Sequence, residues 1–255
     1  VGKVSVLDKI LANKAVEIEN LTVPNMERQK PVLDFKQALL DRNFICEVKK
    51  ASPTLGDINT GAEPEVVAKM YESFGAAAVS VLTDKTFFKG SFTDLKYVAK
   101  AVNIPVLCKD FIISEKQIDI AYRMGADAFL LMATSLKKEE YERLYSYGKS
   151  LGLHILVEIH EPDELEVVRD LKPEILGVNA RNLKTLEIDK EHAADIIREI
   201  GDFDVIVAES GMKEESDIRL LSGAGANAFL VGSSLMGAKD PKSVFDSLKR
   251  GLLCS

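Results

Sequence analysis

Glu47 and Lys49 close the apolar run Phe44–Val48 and stand two residues apart, so an extended chain points both side chains the same way. A carboxylate and an ammonium held side by side tune each other's proton affinity, which is what general acid–base chemistry requires. Other apolar runs end alike. Lys109 and Asp110 follow Pro105–Cys108, Glu158 and His160 follow His154–Val157, Asn179 and Arg181 follow Ile175–Val178, and Glu209 comes just after Asp204–Val207. Any strand end meets solvent and turns polar, so each residue alone says little. Converging on one mouth, they would form a site that moves protons on a small molecule.

Two turns point to a second chemistry. Glu209-Ser210-Gly211 and Gly232-Ser233-Ser234 place hydroxyls and glycines after the last two apolar runs. Small residues let backbone N–H groups approach an anion, so the pair reads as a phosphate site. Other reactive residue types carry less. His154, His160 and His192 show no metal-ligand spacing and are read as structural. Cys46, Cys108 and Cys254 form no paired motif, which fits a disulfide-free protein with Cys108 in the core, facing away from Lys109.

The elements that must position these residues repeat. Gly75-Ala-Ala-Ala-Val-Ser-Val-Leu, Gly125-Ala-Asp-Ala-Phe-Leu-Leu-Met and Gly225-Ala-Asn-Ala-Phe-Leu-Val-Gly resemble one another. With Phe44–Val48, Pro105–Cys108, His154–Val157, Ile175–Val178 and Asp204–Val207 they make eight short apolar runs, as expected for parallel strands covered on both faces. Helical stripes lie between them. Val66, Val67, Met70, Tyr71 and Phe74 share one face, as do Tyr141, Leu144, Tyr145 and Gly148, and a further helix covers Asp217–Leu221. Pro64, Ser114 and Pro162 stand where helix starts are expected. Eight strand–helix units predict a closed (β/α)8 barrel, an α/β fold, rather than an open doubly wound sheet. The active site of such a barrel lies at the carboxyl ends of its strands, where Glu47, Lys49, Lys109, Glu158, Asn179, Arg181, Glu209 and the two Ser/Gly turns fall. Residues 44–255 form the barrel and 1–43 a helical extension packed on it, with stripes at Leu7, Leu11, Ala15 and Ile18 and at Val32, Leu33, Phe35, Ala38 and Leu39. The whole chain, 1–255, reads as a single domain.

Composition narrows the function. With 33 Lys+Arg against 40 Asp+Glu the net charge is −7, which argues against a nucleic-acid surface. A hydrophobic content of 46% supplies a large core and argues against disorder. The longest apolar run, near Ala128–Ala133, is far short of the roughly 18 residues a membrane span needs. The first residues lack the apolar stretch of a secretory signal, so the expected location is the cytoplasm.

Longer strings resemble the indole-3-glycerol phosphate synthase family. They are Glu47-Val48-Lys49-Lys50-Ala51-Ser52-Pro53, Ser80-Val81-Leu82-Thr83-Asp84 followed by Phe88-Lys89-Gly90-Ser91, Pro105-Val106-Leu107-Cys108-Lys109-Asp110-Phe111, Leu156-Val157-Glu158-Ile159-His160, Gly177-Val178-Asn179-Ala180-Arg181-Asn182-Leu183 and Ala208-Glu209-Ser210-Gly211. They run in family order over most of the chain. Thr54, Leu55 and Ala180 depart from the commonest family pattern and touch loop shape.

The resemblance implies a carboxy-lyase of tryptophan biosynthesis. It would close 1-(2-carboxyphenylamino)-1-deoxyribulose 5-phosphate to indole-3-glycerol phosphate, releasing CO2 and water. Lys109, read as a solvent-facing rim lysine, would protonate the ketone; Glu158, Lys49 and Glu47 would supply the acid–base pair for dehydration. Asn179, Arg181 and Glu209 would orient the substrate, and Ser52, Ser210, Gly211, Gly232 and Ser233 would hold its anionic ends. Phe88 and Leu107 would wall the aromatic ring. No metal, cofactor or obligatory protein partner is implied, only a small phosphosugar substrate. The isomerase acting on phosphoribosylanthranilate, a rival barrel, uses a cysteine near the end of its first strand, whereas Cys46 lies inside this one. A non-catalytic barrel would usually have lost at least one of Glu47, Lys49, Lys109 and Glu158; all four are present.

Overall fold

The computed structural model describes residues 4–252, so Cys254 lies outside the described residues. Its main strands are β1 (Phe44–Val48), β2 (Ala78–Leu82), β3 (Val106–Lys109), β4 (Ala128–Met132), β5 (His154–Ile159), β6 (Ile175–Asn179), β7 (Val205–Glu209) and β8 (Ala228–Val231). Each pairs in parallel with its sequence neighbours, and β8 returns to β1 through Phe44 opposite Phe229, closing the barrel. The eight apolar runs are these eight strands. Alternation then sorts the side chains. Phe44, Cys46, Val79, Val81, Cys108, Phe129, Val157 and Phe229 face the surrounding helices, while Ile45, Ala78, Leu107, Ala128, Leu130, Leu156, Val207 and Leu230 fill the interior.

Helices between the strands start and stop where short polar residues and glycines permit. Pro64 opens α3 (Pro64–Phe74), whose C-cap Gly75 takes φ +92°. Ser91 caps α4 (Phe92–Ala101), and Ser114 forms a capping box with Gln117 on α5 (Glu115–Met124). The helix expected to start at Pro162 is short. A single tight turn at Pro162–Glu164 leads into Leu165–Val168 and then a second tight turn.

The N-terminal extension divides its service between the two ends of the barrel. Helix α2 (Phe35–Arg42) inserts Phe35 and Leu39 against Ile45, Leu107, Val205 and the other interior residues, plugging the bottom. Helix α1 (Val6–Asn20) lies at the opposite end, with Ile10 packed against Phe111 and Met132. Its Lys14 is fully buried, and the ammonium lies 2.8 Å from Asp84 and 2.9 Å from Asp110. Those two aspartates stand within two residues of the ends of β2 and β3, so one lysine fastens the helix to two strand ends.

Candidate active site

Inward-facing residues change character over the last layer of the barrel. Glu47 is the hub of one half. Its side chain is 1% exposed, one oxygen lies 3.1 Å from the Lys109 ammonium and accepts a 2.8 Å hydrogen bond from Ser80, and the other faces Lys49 at 3.4 Å. Burial alone would raise this carboxyl, but Lys109 and Lys49 outweigh it and hold Glu47 below its ordinary value. The two lysines diverge. Burial lowers both, yet Glu47, Glu209 and Glu158 together raise Lys109 above its ordinary value, whereas Lys49, repelled by Lys109 and Arg181, ends below its own. Two ammonium groups with opposed proton affinities in one pocket suit different steps.

The second half centres on carboxylates of β5 and β7. Glu158 is held by the Asn179 amide at 3.2 Å, and Asn179 in turn accepts hydrogen bonds from the Ser210 hydroxyl at 2.7 Å and the Arg181 backbone at 3.0 Å. Glu158 and Glu209 are both buried, and like charges so confined do not ionise together. Glu209 is driven well above the ordinary carboxyl range by burial and by Glu158; Glu158 is held below it, with Glu209, His160 and Lys109 overcoming burial. Gly177 makes room for the arrangement. A Cβ there would collide with a Glu209 oxygen.

Around this layer a cleft is lined by Glu47, Lys49, Lys109, Glu158, Asn179, Arg181 and Ser210, with an apolar wall of Leu82, Phe88, Phe111, Leu130, Met132 and Leu183. An adjoining recess shares Lys49, Phe88 and Arg181 and adds Ser52 together with Val6, Leu7 and Ile10 of α1. Two expectations need correction. Leu107 does not line the cleft: it points inward like Lys109 but sits one layer deeper, fully buried among Ile45, Ala78 and Ala128. Lys109 is not solvent-facing, since its side chain is 17% exposed and serves as the counter-ion of buried Glu47. Of the phosphate-turn residues, Ser210 lines the cleft, whereas Gly211, Gly232 and Ser233 line neither cavity. Ser210 and Gly211 adopt successive left-handed conformations, φ +70° and +87°. A Cβ at Gly232 would come within 3.0 Å of Glu47 and Lys49.

His160, read above as structural, belongs to the site. It is buried, with Nε2 3.2 Å from a Glu158 oxygen. Its position two residues beyond Glu158, on the same inward parity, was the available signal. Ser80 and Gly177 were also missed, and nothing local marks them; they matter because the register sets Ser80 opposite Glu47 and Gly177 opposite Glu158. Cys46 and Cys108 are buried, and burial pushes the Cys108 thiol to about 12, which suits core residues rather than nucleophiles. A larger cavity lies between α4, α5 and residues 26–33, lined by Lys30, Lys96, Lys100 and Arg123. It holds no carboxylate to exchange protons with them, so the chemistry belongs to the barrel mouth.

Known proteins resemble this chain in sequence and in fold. A family model described as indole-3-glycerol phosphate synthase matches residues 7–248. Proteins named indole-3-glycerol phosphate synthase from Bacillus mycoides (strain KBAB4) and Bacillus cereus (strain ATCC 10987 / NRS 248) are each 41% identical over 248 residues, covering 96% of this chain and 98% of theirs. Among solved structures, a 3-hexulose-6-phosphate synthase superposes with a TM-score of 0.67 at 15% identity, over 82% of this chain and 99% of that one. Thiamine phosphate pyrophosphorylase from Pyrococcus furiosus gives 0.61 at 16% identity, over 86% and 98%. These two show the barrel alone. No helix among the described residues is long and apolar enough to cross a membrane.

Proposed function

This chain belongs to the indole-3-glycerol phosphate synthase family, and from that premise we propose how its own residues divide the reaction. The enzyme is a carboxy-lyase of tryptophan biosynthesis. It converts 1-(2-carboxyphenylamino)-1-deoxyribulose 5-phosphate to indole-3-glycerol phosphate with loss of CO2 and water. Protons set the demands. The aromatic carbon attacks the ketone, whose oxygen takes one proton; the carboxylate leaves as CO2 without one. The resulting hydroxyl takes a second proton and leaves as water, and the carbon beside the nitrogen gives one back. Each turnover therefore takes up one proton.

The observation that carries the assignment is the pair of lysines with opposed proton affinities around Glu47. Lys109, held cationic chiefly by Glu47 at 3.1 Å, meets the ketone oxygen and protonates it as negative charge develops there. Lys49 yields its proton more readily and serves the departing hydroxyl. Glu158, ionised and with one oxygen free of any partner, takes the carbon-bound proton. Glu47 couples the two lysines. Asn179, Arg181 and Glu209 orient the sugar hydroxyls and ring, and Leu82, Phe88, Phe111 and Leu183 cover the aromatic ring. Ser52, Ser210, Gly211, Gly232 and Ser233 mark the phosphate end, where small residues leave backbone N–H groups accessible.

The test is the appearance of indole fluorescence from this substrate with no added metal. Turnover is expected for the natural chain, with inorganic sulfate competing against substrate. A folded protein that leaves the substrate unchanged would refute the activity, and sulfate bound only at unrelated surface lysines would refute the phosphate assignment.

A further inference from the structure

Away from the mouth, a cavity of about 240 Å³ lies between the carboxyl ends of α4 and α5 and the extension segment 26–33. Those helix ends lead into β3 and β4, so the cavity sits toward the amino ends of the strands. Four cations line it, Lys30, Lys96, Lys100 and Arg123, and no carboxylate does. Such a lining runs against the net charge of −7 carried by the whole chain.

Local duties account for part of this charge. Lys30 donates to the Ala99 carbonyl at 2.6 Å and Arg123 to the Met26 carbonyl at 2.7 Å, which ties the extension to both helix ends. Lys100 and Arg123 also stand in last turns, where the helix dipole favours a cation. The account stops there. Each of the two hydrogen bonds uses one donor of a group that carries several. The side chains of Lys96 and Lys100 make no ion pair or hydrogen bond among the described residues, and at a spacing of four they share one face of α4 and repel each other. Burial, with Arg28 adding to it, holds Lys30 below its ordinary value against the pull of Asp127 and Glu72. Both of those acids are engaged: Asp127 holds Arg28 at 2.8 Å, and Glu72 accepts the Asn103 backbone N–H at 2.8 Å. The cavity therefore gathers positive charge with no anion of its own.

Apart from Gln29, Asn103 and Gly125, the remaining wall is apolar: Met26, Leu33, Ala99, Val102 and Met124. Thioethers are adaptable and pack favourably against aromatic ring edges. We propose that this cavity binds a small aromatic carboxylate, its ring against Met26 and Met124 and its carboxylate against Lys96 and Lys100. A free amino acid fits less well, because its ammonium would face the same cations. The volume falls just below the roughly 300 Å³ at which drug-sized pockets begin, so one or two rings fill it. The site is distinct from the barrel mouth and independent of the reaction assigned there.

The test uses 2-naphthoate in equilibrium dialysis, against 2-naphthamide, which keeps the rings and lacks the charge. Naphthoate is expected to bind with a Kd of about 1 mM or below, and the amide about 10-fold more weakly. Lys96→Gln/Lys100→Gln should weaken naphthoate binding about 10-fold, and Lys96→Arg/Lys100→Arg should retain it. Added salt should also weaken it, since the lysines are not fully buried. Both variants should keep the parent kcat and KM, with circular dichroism confirming the fold. The mouth also combines lysines with an apolar wall, and naphthoate held there would bind the glutamine variant as tightly as the parent. That outcome, equal binding of acid and amide, or no binding near 1 mM would each overturn the site.

Discussion

Two buried clusters of charge lie within the same rim, and they are built differently. The Lys14 cluster is the more closed: its ammonium meets Asp84, Asp110 and Glu17, the Thr83 hydroxyl closes Asp110 at 2.6 Å, and the one Asp84 oxygen without a hydrogen bond lies 2.8 Å from that ammonium. The mouth cluster is more open: one buried oxygen of Glu158 and both of Glu209 have no hydrogen-bond partner, and the free Glu47 oxygen faces only Lys49 at 3.4 Å. Buried polar groups are ordinarily satisfied, so leaving several open costs stability unless something else will fill them. The first cluster fastens α1 to the barrel. The second borders the cleft.

The contrast predicts that substitutions in the mouth cost rate and those under α1 cost stability. The largest effect is expected for Lys109→Ala and Glu158→Gln, each about 10²–10⁴-fold in kcat. They should fail at different points in rapid-quench experiments. Lys109→Ala should retain unreacted substrate, since no carbon–carbon bond forms without an acid at the ketone. Glu158→Gln should accumulate a decarboxylated, still hydroxylated species. The reverse pattern would exchange the two assignments.

Lys14→Met should do the opposite. Removing one member of a buried ion pair typically costs about 3–5 kcal/mol, because the carboxylates left behind remain uncompensated. Denaturant unfolding should show that loss, with kcat of the folded fraction far less affected than in the mouth variants. A Lys14→Met protein of wild-type stability would abolish the distinction between the clusters.

The smallest effect is the most specific. Glu209 has its proton affinity raised in the folded state by burial and by Glu158. Its contribution to stability is therefore full below the ordinary carboxyl value of 4.5 and declines as pH rises through the higher folded value. Glu209→Gln removes that decline, so the variant should gain stability relative to the parent as pH rises, while losing activity. Glu47 and Glu158 act in the other sense. Their folded values are depressed, so their contribution is present above the ordinary value and is lost as pH falls. Parallel stability–pH curves for Glu209→Gln and the parent would show that Glu209 is not the neutral member of the pair.

Strand direction and strand ends were legible in the chain because both are local. A period of two decides which residues face inward, and the carboxyl-end rule then picked out Glu47, Lys49, Lys109 and Glu158 without any contact being known. Depth was not legible. Leu107 and Lys109 share a parity, and only the stagger of neighbouring strands puts one in the core and the other in the cleft. Nor does a lysine beside a helical stripe announce that it is wholly buried; Lys14 is, because two aspartates from distant turns converge on it. The same holds for proton affinities. Sequence supplied the titratable groups, but which lysine is raised, which is lowered and which glutamate stays neutral depend on separations of a few ångströms across the closed barrel, where Coulomb terms and burial compete.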